Sequence, residues 1–508
     1  MRVRSQVVRR LPSNLQTNGA LMRFKLKALF CAAVAGAIYA YRRRSKSQRT
    51  SAQAEPLAVT LPPLHTSTQP GVVSVTITSD DKRLASAAPV RWNRSGAASP
   101  GETIVLNPTT TFQEIVGFGA AFTDAACYNF NRLSEEARAK LFYELFHPSQ
   151  TGLNLCRTCI GSSDYSTHAY SYADDPADHD LKNFSIAHDL KYIVPMVKEA
   201  MQQNPEMFIF SSPWSPPAWM KSNRSLLGGN MQRRWMPHYA QYLLKFLQAY
   251  KQAGVPVSAL TVQNEVDTDQ DGNMPQCSWP QEYEVDFVRY HLGPLLEKSG
   301  EKTQIWMIDH NFNLWGRALA TLEEWELKKY CRAIAWHGYV GDPAKASLVH
   351  DAHPDVDAYW TEGGPGFDDP NYGKDWAMWG QSFTRYLRNW CRGLTGWNLA
   401  LDESGKPNIG PFNCGGLVTI NSTTNEISYS GQFWALSQFS KFIRRGARRF
   451  QSLGECKDLT HVAFKNPDGS NVVVLTNSGT AKTISLELDS WQAKVDLEPN
   501  SLTTLVWH

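Results

Sequence analysis

Between residues 111 and 447 the chain alternates short apolar runs with longer segments whose apolar positions recur every three or four residues. Eight of the short runs read as strands: EIVGFGAAF (114–122), GLNLCRTCIG (152–161), MFIFSSPW (207–214), VSALTVQNE (257–265), TQIWMIDH (303–310), AIAWHGY (333–339), DAYWTEGG (357–364) and GLTGWNLAL (393–401). The stretches between them have helical spacing and helix-start signals, such as Ser134-Glu135-Glu136 ahead of ARAKLFYELF and Pro237 ahead of HYAQYLLKFLQAYKQ. Eight strand-helix units in this order predict an α/β fold, a (β/α)8 barrel over 111–447.

The flanks follow a different pattern. VVSVTITSD and TIVLNPT precede the barrel, and HVAFKNPDGSNVVVLTNS, KTISLELD and SLTTLVWH follow it, alternating at period two and breaking at Asp-Gly and Asn-Ser turns. Strand-like pieces at both ends predict one side β-sandwich assembled from residues 71–110 and 448–508.

Composition changes the picture mainly at the N-terminus. The first fifty residues hold 12 of the 51 Lys/Arg and no Asp/Glu, leaving 39 basic against 48 acidic residues in the remainder, a net charge of −9. An acidic folded part argues against a nucleic-acid surface. The basic segment brackets one apolar run, Ala28 to Tyr41, whose fourteen residues suit a signal h-region better than a full membrane span. Residues 1–50 therefore read as a signal peptide or membrane anchor and predict export, with membrane association through 28–41 left open. The Ser, Thr, Ala, Gln and Pro of 51–70 read as a disordered linker. Nine cysteines in irregular positions do not form a disulfide framework. The CxxC of Cys156 and Cys159 lies on a predicted strand, where residues three apart face opposite ways, so the two read as small buried hydrophobes.

In a barrel of this kind the chemistry gathers at the C-terminal ends of the strands. Those ends read Thr123-Asp124, Ser163-Asp164, Trp214, Asn264-Glu265, Asp309-His310, His337 with Tyr339, Glu362, and Trp397-Asn398. Burying an unpaired carboxylate is costly, so Glu265 and Glu362 at matching strand ends point to a functional pair. Two carboxylates flanking one site are what glycoside hydrolysis requires, and a separation of about 5 to 5.5 Å would make the reaction retaining. The neighbours suggest the roles. Tyr339 and His337 are placed to hydrogen-bond Glu362 and keep it ionised as nucleophile, Asn264 offers an amide to a sugar 2-hydroxyl, and Glu265 is expected to have a raised pKa as acid/base. Of the 17 tryptophans, only Trp214 and Trp397 sit at strand ends and suit a sugar face; the others read as core.

GFGAAFTDAA (117–126), SSPWSPPAWMKSN (211–223), VQNE (262–265), AWHGY (335–339), WTEGG (360–364) and GWNLALDESGKPN (396–408) occur in this order, and together they resemble glycoside hydrolase family 30. YSYADDPADHDLKNFS (170–185) and FSKFIRRGARR (439–449) match it too. The resemblance spans about residues 110–450 and is nearest in motif to the glucosylceramidases. It implies a barrel with a side sandwich, Glu265 as acid/base and Glu362 as nucleophile, and no cofactor or metal. It further implies that Asp124 and Trp397 hold outer sugar hydroxyls, that Trp214 lines the pocket, that Asn264 binds the 2-hydroxyl and that Tyr339 contacts the nucleophile. The substrate class it implies is a β-linked glycoside: a glucoside, a glycolipid such as glucosylceramide, a β-1,6-glucan or a β-xyloside. The chain departs from its relatives at Val266, at Gly338 and in the loop Ile409 to Gly416, all on the aglycone side.

Three other readings compete. Asp267, Asp269, Asp271 and Gly272 match the opening of a calcium loop, but Ser278 stands where the last ligand belongs, and the alternative is an Asp-rich turn. A noncatalytic carbohydrate-binding protein would keep the aromatics without needing both glutamates. A metallohydrolase would need a His/Asp cluster beyond His310 and His337, and no HxH ends the first strand.

Overall fold

The computed structural model describes residues 71–94 and 102–508, so the leader and linker expectations for 1–50 and 51–70 lie outside the described residues. All eight predicted strands are present: β1 Gly117–Phe122, β2 Leu155–Ile160, β3 Phe208–Pro213, β4 Ala259–Thr261, β5 Gln304–Asn311, β6 Cys331–His337, β7 Asp357–Glu362 and β8 Cys391–Leu401. Each pairs in parallel with the next in sequence. The register β8 to β1, Gly393 opposite Gly117 through Asn398 opposite Ala121, closes the barrel. The helices form where their signals stand: Glu135–Phe146 starts on Ser134, whose hydroxyl accepts from the Ala137 N–H at 3.2 Å, and Met236–Gln252 carries its proline in the first turn.

Alternation along the strands sorts side chains between the lumen and the helix layer. On β2, Cys156 joins the large core between strands and helices while Cys159 joins a separate cluster with Trp214 and Trp397, so the two thiols face opposite ways. The lumen is filled at one level by Leu155, Phe210, Trp306, Ala333, Ala335 and Tyr359, with Trp306 stacked on Tyr359 at 4.1 Å. The next inward positions toward the C-terminal rim are polar: Arg157, Ser212 and His337, two residues beyond Leu155, Phe210 and Ala335. Trp279, Trp336, Trp360, Trp376 and Trp379 are core residues, as expected.

The flanking strands form one ten-strand sheet drawn from both ends of the chain, with Val72–Ser79 between Lys82–Arg91 and Ser501–Trp507. Val73, Ile77, Leu475 and Leu505 share one core with Leu486 and Val495 from the far side of that sheet, so it curls into the expected sandwich. Its strand Thr103–Glu114 runs past the predicted boundary at 110, because two register shifts carry it from Leu453 to Arg448. Barrel strand β1 accordingly begins at Gly117 rather than at 114. Strands Lys82–Arg91, Arg448–Leu453 and Trp491–Leu497 were not among those read from the sequence; Lys82–Arg91 has an almost entirely half-exposed pattern with no apolar alternation to reveal it.

Candidate active site

Glu265 follows β4 in a left-handed backbone conformation, φ 53°, unusual for a residue with a side chain. Two backbone bonds hold it there: the Asn264 N–H donates to the Pro213 carbonyl at 2.8 Å and the Glu265 N–H to the Asp309 carbonyl at 2.9 Å. β5 is irregular at the same level. Ile308 and Asp309 have φ of 74° and 45°, and the register to β6 skips a residue between Ile308 and His310. A bulge of this kind re-aims a side chain. Here it turns Asp309 into the lumen, and the displaced Ile308 N–H is taken up by the buried carboxylate of Glu284 at 3.0 Å.

Arg157 is the hub that results. Fully buried, it donates to Glu362 Oε2, to Asn264 Oδ1 at 2.8 Å, to Asp309 Oδ2 at 2.7 Å and to Ser212 Oγ at 2.9 Å. Its guanidinium lies 4.6 Å from the Trp214 ring centroid. Asp309 accepts additionally from Ser212 at 2.8 Å, Thr261 at 2.7 Å, Thr361 at 2.8 Å and His337 at 3.0 Å. Burial pushes the Asp309 carboxyl up, but Arg157, His337 and the Thr261 hydroxyl outweigh it and hold the group well below the usual carboxylate range.

His337 links the two glutamates. Its Nδ1 lies 3.4 Å from Glu265 Oε1 and its Nε2 3.7 Å from Glu362 Oε2. Burial opposes its charge, yet Glu362, Asp309 and Glu265 raise its pKa to about 9, so the ring is an imidazolium at neutral pH. Tyr339 donates its hydroxyl to Glu362 Oε1 at 3.2 Å, and Gln270 donates its amide to Glu265 Oε2 at 2.7 Å. Burial raises Glu362, with His337 and Arg157 pulling against it. Glu265 differs from the sequence expectation: burial would raise it, but His337 and His310 hold its carboxyl below the ordinary value. Sequence position shows which carboxylate ends a strand, but not that two imidazoles lean on it.

A cavity of about 440 Å³ opens over this cluster, lined by Asp164, Trp214, Asn264, Glu265, His310, Tyr339, Glu362 and Trp397 among others. That is within the size range of small-ligand pockets. Trp214 and Trp397 stack on each other, centroids 4.9 Å apart. Six of the seven residues read from the sequence thus share one cavity. Asp124 does not line it: one carboxylate oxygen is bonded to His188 Nε2 at 2.7 Å and the other takes the Thr167 N–H and hydroxyl at 2.8 and 2.7 Å. Asp164 lines the cavity instead, buried, with Oδ1 lacking a hydrogen-bond partner and its carboxyl raised well above normal by burial and by Glu362 and Glu265.

Arg157 is absent from the strand ends read in the sequence, and Asp164 and Asp309 stand among those ends without a role. The signal for Arg157 was present, since a single arginine inside an apolar strand needs buried anions. The acidic turn after Glu265 does not gather its carboxylates: Asp267 pairs with His310 at 2.8 Å, Asp269 accepts from the Asp271 N–H at 3.2 Å, and Asp271 is exposed. These carboxylates take separate partners, as in an Asp-rich turn.

Two family models match the chain: the glycosyl hydrolase family 30 TIM-barrel domain over residues 115–443 and the glycosyl hydrolase family 30 beta sandwich domain over 446–505. The chain is 31% identical over 482 residues to putative glucosylceramidase 4 of Caenorhabditis elegans, covering 88% of this chain and 91% of that protein. It is 33% identical over 441 residues to an endo-1,6-beta-D-glucanase of Neurospora crassa, covering 80% and 90%. In structure it resembles SrfJ from Salmonella typhimurium, with a TM-score of 0.82 at 26% identity over 86% of this chain and 99% of that one.

Proposed function

Because the chain belongs to glycosyl hydrolase family 30, and is therefore a glycosidase, we propose that it is a retaining β-glucosidase of glucosylceramidase-like type, with Glu362 as nucleophile and Glu265 as acid/base. The observation that carries this reading is the shared environment of the two glutamates: one cavity, one imidazolium touching both, and two donors fixed on Glu362.

The arrangement supports double displacement. Arg157 and Tyr339 orient the Glu362 carboxylate toward the cavity, so that one oxygen attacks the anomeric carbon as the glycosidic bond breaks. The departing oxygen takes a proton from Glu265. His337 Nδ1, 3.4 Å away, is the adjoining reservoir, so Glu265 is ionised at rest and is supplied as the leaving oxygen develops charge. Esterification then removes the negative charge of Glu362. That lowers the proton affinity of Glu265 further and suits it to deprotonate the water that releases the sugar, after which the proton passes back to His337 and the cycle closes. Asn264, fixed by Arg157, presents its amide nitrogen for the sugar 2-hydroxyl, and Asp164 offers its free oxygen to an outer hydroxyl, the task first assigned to Asp124.

A second reading, endo-β-1,6-glucanase, is favoured by the Neurospora relative, which matches as well as the glucosylceramidase does. The cavity mouth carries two exposed aromatics, Tyr339 at 44% and Phe412 at 41%, which would serve either a lipid chain or a further sugar ring. Export and sphingolipid metabolism belong to the proposal as well. Export rests on residues 28–41 alone, and among the described residues no helix is long and apolar enough to cross a membrane.

Glu362→Gln is expected to abolish turnover of an activated aryl β-glucoside. Glu265→Ala is expected to lose mainly substrates with poor leaving groups and to be rescued by azide. Activity of the Glu362 variant at the wild-type level would overturn the assignment. Screening glucosylceramide, a β-1,6-glucan and aryl β-xyloside beside the glucoside decides between the substrate readings.

A further inference from the structure

We propose that Glu265, His310 and His337 form a binding site for a transition-metal dication, Zn²⁺ in the first instance, and that its occupation takes the acid/base out of the reaction. Glu265 Oε1 lies 3.4 Å from His337 Nδ1 and 3.6 Å from His310 Nδ1. A tetrahedral zinc ion with bonds of about 2.0–2.1 Å sets neighbouring ligand atoms about 3.3–3.4 Å apart. The three donor atoms lie within 4.8 Å of one another, so the imidazoles need close only by what separates them from that edge.

The atoms behind the three donors match what a metal site needs. A ligating histidine normally gives its other N–H to a carboxylate, which fixes the tautomer and aims the free lone pair. Both rings do so here: His337 Nε2 bonds Asp309 Oδ1 at 3.0 Å and His310 Nε2 bonds Asp267 Oδ1 at 2.8 Å. Asp267 opens the acidic turn that the sequence set apart, and orienting His310 is its visible task. On the inner side, His337 Nδ1 is buried and faces Glu265 with no hydrogen-bond partner, and an ion bound there takes the place of the imidazolium proton, which is released to solvent. His310 Nδ1 has a 3.3 Å contact from the Asn311 amide, which an ion would displace.

Charge and access agree. Glu265, Glu362, Asp267 and Asp309 surround the position, against the guanidiniums of Arg157 and Arg317, so once the His337 proton is displaced a dication faces an excess of anions. Two imidazoles and one carboxylate suit zinc, cobalt or copper rather than calcium or magnesium, which take all-oxygen sets. Glu265 and His310 both line the cavity, which leaves the fourth position open to water or to a sugar hydroxyl. Binding itself depends only on these groups; its effect on turnover rests on the proposed role of Glu265.

The test is calorimetric titration of the full-length protein with zinc, together with visible spectroscopy of the Co²⁺ form. One ion per chain with four-coordinate cobalt bands is expected. His310→Ala should weaken binding by about 100-fold or more and Asp267→Asn by about 10- to 100-fold. Failure to bind below the millimolar range, binding unaffected by His310→Ala, or six-coordinate cobalt bands only would each overturn the site. Zinc bound as described but without loss of activity on a β-glucoside with a poor leaving group, such as an alkyl β-glucoside, would leave the site standing and count against Glu265 as acid/base, which separates the two claims.

Discussion

The charge on His337 is held by the fold, and its removal is measurable without a substrate. The ring lies 3.0 Å from Asp309, 3.4 Å from Glu265 and 3.7 Å from Glu362, and has no exposed side-chain surface. Burial opposes its protonation, but the carboxylates win and move its pKa from 6.5 to about 9. A group raised on folding stabilises fully below its unfolded value, and the contribution is lost as pH climbs through the folded value. The window is therefore about pH 6.5 to 9, and a difference of about 2.5 pH units at 1.36 kcal/mol each gives about 3 kcal/mol. Urea unfolding of the wild type and of His337→Gln at about pH 6 and about pH 9.5 brackets that window. The wild type should lose about 3 kcal/mol more than the variant between the two conditions. Parallel pH dependence in both proteins would refute the reasoning, because it would mean that His337 carries no stabilising proton.

Other perturbations separate the neighbouring roles. Arg157→Lys keeps one charge but not the four-acceptor fork, and should lower stability by about 1.5–3 kcal/mol in thermal or urea unfolding. In Arg157→Gln, which loses the charge as well, the acidic limb of the kcat/KM profile should move to higher pH, because the cation that pulls Glu362 down is gone. Asp164→Ala removes a buried carboxyl whose Oδ1 has no partner, so kcat/KM for an aryl glucoside should fall about 10- to 100-fold with little change in melting temperature. Asp124→Ala breaks contacts to His188 and Thr167, and should show the reverse balance, with the larger loss in stability.

These contrasts follow the line between what was legible in the chain and what was not. Strand order, closure and the two-ended sandwich follow from periodicity, because apolar burial sets them residue by residue. The glutamate pair was legible because each breaks an apolar run where a barrel strand must end. Asp124 and Asp164 end neighbouring strands in the same way, and only folding shows that His188, sixty-four residues further on, takes up the first and leaves the second free for the cavity. Arg157 stands out as a single charge in an apolar strand but its partners do not, and the inward turn of Asp309 comes from a bulge that alternation does not announce. The depressed Glu265 carboxyl depends on His310 and His337, brought from two other strands. Directions of side chains and couplings among charges are properties of the assembled rim, and no local pattern encodes them.

The most direct test of the central claim is to trap the reaction at its covalent stage. An activated 2-deoxy-2-fluoro β-glucoside slows release of the sugar from a retaining enzyme, and peptide mass spectrometry then locates the ester. One fluoroglucosyl group per chain, on Glu362, is expected. A label on Glu265, or steady turnover of the parent aryl glucoside with no label on Glu362, would contradict it.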